Sequence, residues 1–265
     1  MGGTIVACMK ISIITVCFNS GKTISDTMRS VAIQTHPDLE HIVIDGASQD
    51  DTLEVVRAFR DRPPQVLSER DGGIYDAMNK GLALATGEYV GFLNADDMLA
   101  GPEVLSVIAA AAGTGADAVY GDLSYVDKNR TTEVLRYWSS GAFDAASLRY
   151  GWMPPHPTFY VRRSLVQTLG RFDLQFRIAA DYDFMLRYLG QPGIRVAYVP
   201  EVLVHMRAGG VSNRSMKSLI RKSGEDLAAL RKNRVGGLTT LFCKNARKLP
   251  QFFRRPAQQA LSARP

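Results

Sequence analysis

The chain has 265 residues, of which 46% are hydrophobic and 22% are charged, and its formal net charge at pH 7 is +6. This composition is ordinary for a globular protein, and the length suits one large α/β domain with a tail or two small domains. The sequence contains no run of 18 or more apolar residues, which argues against a helix that spans a membrane.

The cysteines and the first apolar run indicate a reducing compartment. Cys8, Cys17 and Cys243 are odd in number and form no C-x-x-C pair. This argues against a disulfide framework and a zinc knuckle and favours the cytoplasm. The run ISIITVCF lacks the basic start and the cleavage site of a signal peptide, so it predicts a buried strand. Because Met9 stands just before that strand, residues 1–8 are expected to be dispensable.

The first hundred residues alternate apolar runs with amphipathic segments. Strands are predicted at 11–18, 41–46, 65–69 and 88–94, and helices at 22–34, 51–60 and 74–85. This alternation with short connections predicts an α/β fold with a mostly parallel central sheet flanked by helices. Ligands bind at the carboxyl ends of such strands. That rim is expected to carry Asn19, Asp45, Glu69 and the segment 94–97.

The pattern changes after residue 100. A helix is predicted at 101–113, followed by mixed or antiparallel β-structure at 117–127 and 131–138. A strand framed by prolines is predicted at 154–161, a helix from Asp181 to its cap at Gly190, and two more strands at 194–200 and 201–210. The residues from 214 onward are expected to be helical, with breaks at Gly236–Gly237 and Pro250.

Two groups of acidic residues at the predicted rim suggest ligand contacts. Asp96 and Asp97 end a strand in FLNADD, and paired carboxylates suit a hard divalent cation such as Mg²⁺ or Mn²⁺. A solvated turn is the alternative. Asp45 and Asp71 are candidates for hydrogen bonds with a nucleotide base or ribose, or are turn carboxylates. Glycines follow Asp71 and permit a close backbone approach to a ligand.

Five segments in order carry a resemblance to a known family: SIITVCFN, VIDGASQDDT, SERDGGIYDAMNKG, YVGFLNADD and AADYDF. They resemble the family 2 glycosyltransferases of the inverting, nucleotide-sugar-dependent type, above all bacterial members that build surface polysaccharides and glycolipids. The resemblance covers about residues 10–210 and implies a GT-A fold. Residues 1–213 are then one catalytic domain, in which about 10–100 bind nucleotide and 101–213 bind acceptor.

The resemblance also implies roles for particular residues. Asp181 matches the second member of the family's E-D pair, the catalytic base, although it also suits a helix cap. The expected donor-nucleotide residues are Asp45, Asp71, Gly73, Asn79 and Asn94. The expected ligands of Mn²⁺ or Mg²⁺ are Asp96 and Asp97, and His205 is a further candidate, for which a packed histidine is the alternative.

The sequence departs from the family pattern at two positions. Asn94 replaces the first Asp of the D-x-D metal motif, and Ala180 replaces the Glu of the E-D pair. Asp96 is the more important metal ligand by resemblance, so a weakened site is expected rather than a lost one. Two alternatives stay open: a metal-dependent nucleotidyltransferase, and a catalytically degenerate subunit that only binds nucleotide sugar.

Residues 214–265 differ in charge from the rest of the chain. They contain 13 Lys or Arg and 2 Asp or Glu, a net charge of +11, and the preceding residues carry −5. Apolar residues recur in this tail near helical spacing at Leu238, Leu241, Phe242, Leu249, Phe252 and Phe253. A basic amphipathic helix of this kind suits an anionic membrane surface. The alternative is a helix that packs on the catalytic body.

The expected partners follow from these features. The donor is a nucleotide-diphosphate sugar, with a UDP-sugar favoured and dTDP- or GDP-sugars as alternatives. The acceptor is a glycan or a lipid-linked hydroxyl, and no nucleic acid partner is expected. The predicted location is cytoplasmic and peripheral, at the inner face of the cell membrane.

Overall fold

The computed structural model describes residues 9–209 and 216–247 of the chain. Within these ranges the strands are β1 (Ile11–Cys17), β2 (Leu39–Asp45), β3 (Gln65–Ser68), β4 (Tyr89–Phe92), β5 (Met98–Leu99), β6 (Ala118–Val126), β7 (Val134–Trp138), β8 (Tyr160–Arg162) and β9 (Val196–Arg207). The α-helices are α1 (Ile24–Ala32), α2 (Thr52–Ala58), α3 (Ile74–Leu84), α4 (Val104–Gly113), α5 (Arg163–Leu169), α6 (Ala180–Leu189), α7 (Met216–Lys232) and α8 (Leu238–Ala246). Short 3₁₀ helices cover Ala145–Tyr150 and His156–Thr158.

All of these strands belong to one sheet, in the order β3-β2-β1-β4-β8-β6-β9-β5, with β7 paired to β6. The first half, β3-β2-β1-β4, is parallel. In the second half β8 runs antiparallel to both β4 and β6, and only the β6–β9 pair is parallel. The sheet is therefore mixed, and the predicted parallel arrangement holds for the half in which strands alternate with helices.

The core lies on both faces of the parallel half. Every residue of β1 is buried, as expected for a strand covered on two sides. The polar Thr15 is satisfied there, because its Oγ1 lies 3.0 Å from Nε2 of buried His41. Helix α3 approaches β1 closely at Gly81, where a Cβ would come within 2.4 Å of the Ile14 side chain. A bulkier residue at position 81 would therefore push α3 away from the sheet.

Two predicted strand assignments differ from the structure. The strands predicted at 194–200 and 201–210 form the single strand β9, because Pro200 and Glu201 bulge out between the partners of Gly121 and Asp122. Proline cannot donate to a strand ladder, and a bulge accommodates it. In the proline-framed segment 154–161, a 3₁₀ helix precedes the three-residue β8, because Pro155 and Pro157 are spaced for a tight turn.

The helices after residue 215 pack on the rest of the fold. Helix α7 contacts α6, and α8 contacts the 3₁₀ helix Ala145–Tyr150. The chain breaks between α7 and α8 at Gly236–Gly237, as predicted. On α8, Leu241 is partly buried against the core, whereas Leu238 and Phe242 are 66% and 74% exposed. The predicted break at Pro250 and the predicted apolar residues Leu249, Phe252 and Phe253 lie outside the described residues.

No helix in the described part of the chain has both the length and the apolar character needed to cross a bilayer.

Candidate active site

The carboxyl ends of β1, β2, β3 and β4 lie along one edge of the parallel half-sheet, as predicted. At this rim Gly46 follows β2, and a Cβ on Gly46 would lie 2.6 Å from Oδ2 of Asp71 and 3.4 Å from the ring of Phe18. The Asp71 and Phe18 side chains therefore both lie against Gly46, and a side chain at position 46 would displace Asp71. Phe18 is 61% exposed, which is unusual for an aromatic residue beside a buried strand.

Asp45 is buried beneath this rim and holds its loops together. Its carboxylate accepts hydrogen bonds from the Ser48 backbone N at 3.0 Å, from the Ser48 hydroxyl and from the Ser68 hydroxyl at 2.7 Å. The Cys17 thiol approaches it at 3.7 Å, and burial raises the pKa of that thiol, so it stays protonated. Asp45 thus joins the β2–α2 turn to β3. Its predicted contact with the nucleotide stays a prediction.

The turn before α3 is open, and nearby carboxylates accept hydrogen bonds from its glycine N–H groups. Asp71 accepts a hydrogen bond from Gly73 N at 2.8 Å, and Asp76 accepts one from Gly72 N at 2.9 Å. Gly73 has φ of +123°, and no atom lies within 4 Å of the position where its Cβ would be. The conformation therefore requires glycine and leaves the N-terminus of an eleven-residue helix exposed. Helix N-termini attract phosphate groups.

Asn79 faces the second half of the fold instead of the rim. Its Nδ2 donates to Phe172 O at 2.9 Å, and its Oδ1 accepts from Phe172 N at 2.9 Å. Both ends of the amide are therefore used to tie α3 to residue 172. The predicted contact of Asn79 with the donor nucleotide stays a prediction.

Asp96 and Asp97 follow β4 at the rim, and the structure shows how their charges are compensated. Asp97 is buried, and it accepts hydrogen bonds from Asn94 Nδ2 at 3.2 Å and from Arg207 N at 3.3 Å. Burial raises the pKa of both carboxyls, and the nearby Asp96 raises that of Asp97 further. The raised pKa values mean that the ionised forms of these carboxyls are disfavoured, and a bound cation would stabilise them.

Arg207 at the end of β9 supplies one cation, and the sequence analysis did not identify it. Its buried guanidinium pairs with the Asp26 carboxylate on α1. It also donates to two backbone carbonyls, Asp96 O at 3.1 Å and Lys128 O at 3.2 Å. The residue reaches the acids only because β9 pairs with β5, where His205 is opposite Met98. No local pattern in VLVHMRAGG reveals that register.

The fit of this cluster to a metal ion is partial. Among residues 9–209 and 216–247, no group of three or more His, Cys, Asp or Glu side chains is placed to hold a metal. Asn94 Oδ1, however, is buried and has no hydrogen-bond partner in the described part of the chain. An amide oxygen two residues before Asp96 suits Mg²⁺ or Mn²⁺, which take few protein ligands and fill the remainder with substrate phosphates and water. Asp97 is already engaged by Asn94 and Arg207.

His205 lies at the edge of this cluster. Its Nδ1 is 2.5 Å from the Ser124 hydroxyl on β6, and burial lowers the pKa of the ring, so the imidazole is neutral near pH 7. A neutral imidazole is competent to bind a metal. The predicted contact of His205 with a metal stays a prediction.

Asp181 lies in the first turn of α6 and is oriented by two donors. Its Oδ1 accepts hydrogen bonds from the Tyr75 hydroxyl at 3.1 Å and from Tyr182 N at 2.8 Å. Burial and the Asp181 charge raise the pKa of Tyr75, so the phenol keeps its proton and donates. The N-cap position is Ala179, so Asp181 is not the residue that caps α6. Tyr75 on α3 thus connects the parallel half of the sheet to the residue predicted to be the base.

His156 is a buried histidine whose ring lies within the electrostatic influence of Asp181. Its ring stacks on Phe92 with 5.3 Å between centroids, and its Nε2 has no hydrogen-bond partner within the described residues. Burial lowers the pKa of His156, although the Asp181 charge acts in the opposite direction. The side chain is therefore a neutral imidazole packed between the two halves.

Comparison with known proteins identifies the family. A family model described as Glycosyl transferase family 2 matches residues 12–172. The PGL/p-HBAD biosynthesis glycosyltransferase of Mycobacterium bovis (strain BCG / Pasteur 1173P2) is 35% identical over 208 residues, which cover 76% of this chain and 78% of that protein. An uncharacterized glycosyltransferase of Mycobacterium tuberculosis (strain ATCC 25618 / H37Rv) is 35% identical over 180 residues, which cover 67% of this chain and 68% of that protein.

Solved structures agree on the fold. S. aureus TarS 1–349, in complex with UDP-GlcNAc, superposes with a TM-score of 0.64 at 22% identity, over 86% of this chain and 66% of TarS. The mannosyltransferase PcManGT from Pyrobaculum calidifontis, in complex with GDP-Man and Mn²⁺, has a TM-score of 0.65 at 22% identity, over 94% of this chain and 74% of its own. The α/β architecture with one mixed sheet is the GT-A fold, as the sequence predicted. This chain belongs to glycosyl transferase family 2 and is a nucleotide-sugar-dependent glycosyltransferase.

Proposed function

We propose that this enzyme transfers a sugar, with inversion at C1, from a nucleotide-diphosphate sugar to a hydroxyl of a glycan or lipid-linked acceptor in cell-surface polysaccharide or glycolipid assembly. The observation that carries the proposal is the setting of Asp181. Two donors hold Oδ1, and no described residue donates to Oδ2. A carboxylate with one fixed oxygen and one available oxygen is suited to accept a proton from a substrate hydroxyl.

The reaction then needs one proton transfer from the acceptor hydroxyl to this chain. As the acceptor oxygen attacks C1, its proton moves to the Asp181 carboxylate. The bond between C1 and the phosphate oxygen breaks on the opposite face, and the nucleoside diphosphate leaves with the electron pair. General-base assistance of this kind contributes about 10²–10⁴-fold to the rate. Tyr75 keeps the carboxylate oriented throughout, because its hydroxyl stays protonated.

We infer that the donor lies along the rim of β1 to β4. Phe18 offers an exposed ring on which a nucleobase can stack, and the Gly72–Gly73 turn offers the N-terminus of α3 to phosphate. The two solved relatives contain UDP-GlcNAc and GDP-Man, so they do not decide the base. A UDP-sugar remains the favoured donor, with dTDP- and GDP-sugars as alternatives.

We further infer that Mn²⁺ or Mg²⁺ binds with the donor, held by Asp96 and by the unpaired amide oxygen of Asn94. PcManGT is described with Mn²⁺, which supports this choice of cation. A divalent cation stabilises the negative charge that develops on the leaving diphosphate. The Arg207 backbone N–H and the Asn94 amide donate to the neighbouring Asp97, and the Arg207 guanidinium pairs with Asp26, so these contacts leave the Asp96 carboxylate available.

The acceptor and the membrane attachment are proposed together. The mycobacterial relative is named for PGL/p-HBAD biosynthesis, which supports an acceptor from cell-envelope assembly. On α8 the exposed side chains of Leu238 and Phe242 lie within a segment of net charge +11. Apolar side chains flanked by basic ones bind the interface of anionic membranes. Attachment of the enzyme to a surface would bring it close to a lipid-linked acceptor.

A donor screen tests the proposal. The protein is mixed with UDP-, dTDP- and GDP-sugars, each with Mn²⁺ or with EDTA, and the melting temperature and release of nucleoside diphosphate are measured. We expect sugars of one nucleotide to raise the melting temperature in Mn²⁺, and to raise it by a smaller amount in EDTA. The same donor should release nucleoside diphosphate when a lipid or glycan acceptor is added. Release of pyrophosphate in place of nucleoside diphosphate would contradict the proposed reaction.

A further inference from the structure

The start of α6 lacks a cap of its own. Its N-cap residue is Ala179, which has φ of −119° and no side-chain oxygen to offer. Ala179 and Ala180 are fully buried, so water cannot satisfy the backbone N–H groups around them. Buried N–H groups at the start of a helix need an acceptor from elsewhere. This is also the turn that carries Asp181.

Glu225 on α7 provides that acceptor. Its Oε2 accepts hydrogen bonds from Ile178 N at 2.7 Å and from Ala179 N at 3.0 Å. The peptide that joins Ile178 to Ala179 also engages Tyr75, whose hydroxyl donates to Ile178 O at 2.8 Å. The same hydroxyl lies 3.1 Å from Asp181 Oδ1. One peptide unit is therefore fixed by α7 on its N–H side and by Tyr75 on its C=O side.

Helix α7 also holds the residues that follow Asp181. Asp183 has no exposed surface, and its carboxylate accepts from Lys232 Nζ at 3.1 Å and from Asn233 Nδ2 at 2.9 Å. Lys244 of α8 lies 3.2 Å from the centroid of the Tyr182 ring and pairs with Asp226 at 2.8 Å. The contacts of α7 and α8 thus lie on both sides of position 181 along the chain.

We propose that Glu225 is a positioning residue for Asp181. It supplies the oxygen that fixes the Ile178–Ala179 peptide, and through that peptide and Tyr75 it sets the direction of the Asp181 carboxylate. This inference rests on the proposed role of Asp181 as the base. Glu225 does not touch the rim of β1 to β4, so its effect belongs to the transfer step and not to donor binding.

The test compares Glu225→Ala with Glu225→Gln. Misplacement of a reacting group by about 1 Å costs about 10²-fold in rate, so we expect kcat of Glu225→Ala to fall about 10- to 100-fold. KM for the donor and the affinity for nucleotide should stay unchanged. Glu225→Gln keeps an oxygen that accepts both hydrogen bonds, and it should recover most of the lost kcat. The matched control Glu54→Gln, at an exposed acid on α2, should behave as wild type.

Hydrogen exchange separates this inference from the proposed function. Loss of the Glu225 oxygen should speed amide exchange at residues 178 and 179, whether or not Asp181 is the base. If Asp181→Asn is as active as wild type, the proposed base is wrong, and the exchange result still tests the hydrogen bonds. Glu225→Ala should add no further loss to Asp181→Asn.

Three results would overturn the inference: unchanged kcat in Glu225→Ala, a rise in KM alone, or equal losses of kcat in the folded Gln and Ala variants. If Glu225→Ala does not fold, the inference is tested by comparing Glu225→Gln with wild type. The inference requires that Glu225→Gln has a kcat near that of wild type. An additive loss in the double variant with Asp181→Asn would also count against it.

Discussion

The amide at position 94 changes the chemistry of the acids that follow it. A carboxylate there could not donate to Asp97, whereas Asn94 Nδ2 does so at 3.2 Å. The donation stabilises one buried acid and leaves the amide oxygen buried without a partner. Because an unsatisfied buried oxygen is unfavourable, a cation that binds Asp96 also relieves Asn94. In the proposed metal site, the amide at position 94 would supply an oxygen ligand with one negative charge fewer than a carboxylate.

Asp96→Ala tests this arrangement. We expect it to lose nearly all transfer activity and to lose the rise in melting temperature that Mn²⁺ gives with donor, because the only uncommitted carboxylate of the cluster is removed. EDTA should have the same effect on wild type. Calorimetric titration of Mn²⁺ in the presence of nucleotide measures the loss, and Asp61→Ala, at an exposed acid, is the control. Full activity in EDTA would show that the cluster does not hold a catalytic cation.

Asp181→Asn tests the base. The side chain keeps its shape and its acceptor oxygen for Tyr75 and Tyr182 N, so folding and donor binding should be unchanged. The substituted amide cannot take up the acceptor proton, and kcat should fall by about 10²–10⁴-fold. Single-turnover measurements at saturating donor report this step. Turnover near the wild-type rate would leave Asp181 with a structural role only.

At the scale of elements, α7 and α8 are part of the catalytic body through one face. Lys244 on α8 is almost fully buried, and it pairs with Asp226 on α7 at 2.8 Å. Gly151 permits the backbone of α8 to approach closely, because a Cβ there would lie 2.4 Å from the Lys244 backbone N. One face of α8 therefore packs on the rest of the fold, which is the alternative to membrane binding that the sequence left open. Leu238 and Phe242 are exposed on the surface of the same helix.

Lys244→Met tests the attachment of α8. Removing one member of a buried ion pair is costly, but Lys222 remains 3.3 Å from Asp226, so we expect a loss of up to about 3 kcal/mol in the free energy of unfolding. Urea denaturation measures it. Adding Asp226→Leu should restore part of the stability, since no unpaired acid is then left. An unchanged midpoint in Lys244→Met would show that α8 contributes little to the fold.

The sequence predicts some of these elements well and others not at all. β1 and α3 are visible as an apolar run and an amphipathic segment, and the rim positions of Asp71 and Asp96 follow from where strands end. The contact of Arg207 with Asp96 spans 111 residues, and that of Glu225 with Ile178 spans 47. Such contacts depend on sheet register and helix packing, which leave no periodic trace in the sequence. The single strand through Pro200 was missed because a bulge resembles a strand end.

At the scale of the whole molecule, the acidic body and the basic tail imply different behaviour at an anionic surface. Phe242→Glu should lower co-sedimentation with vesicles that contain anionic lipid, because it places a charge where an apolar ring would enter the interface. Ile220→Glu, at a similarly exposed apolar residue on α7, is the matched control. High salt should release wild type, since it screens the attraction. Equal sedimentation of both variants and wild type would contradict a membrane role for α8.

Buried histidines give the stability a defined dependence on pH. Burial lowers the pKa of His41 from 6.5 to about 4, so the unfolded chain takes up a proton at a higher pH than the folded chain does. The raised pKa of Asp97 favours the folded state as the pH drops. The contribution of His41 to the free energy of unfolding should nevertheless fall as the pH drops from about 6.5 towards 4, by about 2 kcal/mol at pH 5. His156 and His205 act in the same direction.

Urea denaturation at pH 7 and pH 5 measures this dependence. His41→Gln retains a hydrogen-bonding partner for Thr15 and removes the His41 contribution, so its free energy of unfolding at pH 5, relative to pH 7, should exceed that of wild type by about 2 kcal/mol. A difference of the same size in His41→Gln and wild type would show that other groups cause it.

The buried carboxylate of Asp183 has a consequence for the order in which the protein matures on the ribosome. Two of its partners, Lys232 and Asn233, are synthesised about fifty residues after it, at the end of α7. Until they emerge, α6 would bury an acid that lacks these two partners, which is unfavourable. The helix that carries Asp181 should therefore dock only when translation has passed residue 233. The helix that carries the proposed base would thus be among the last parts of the described fold to dock.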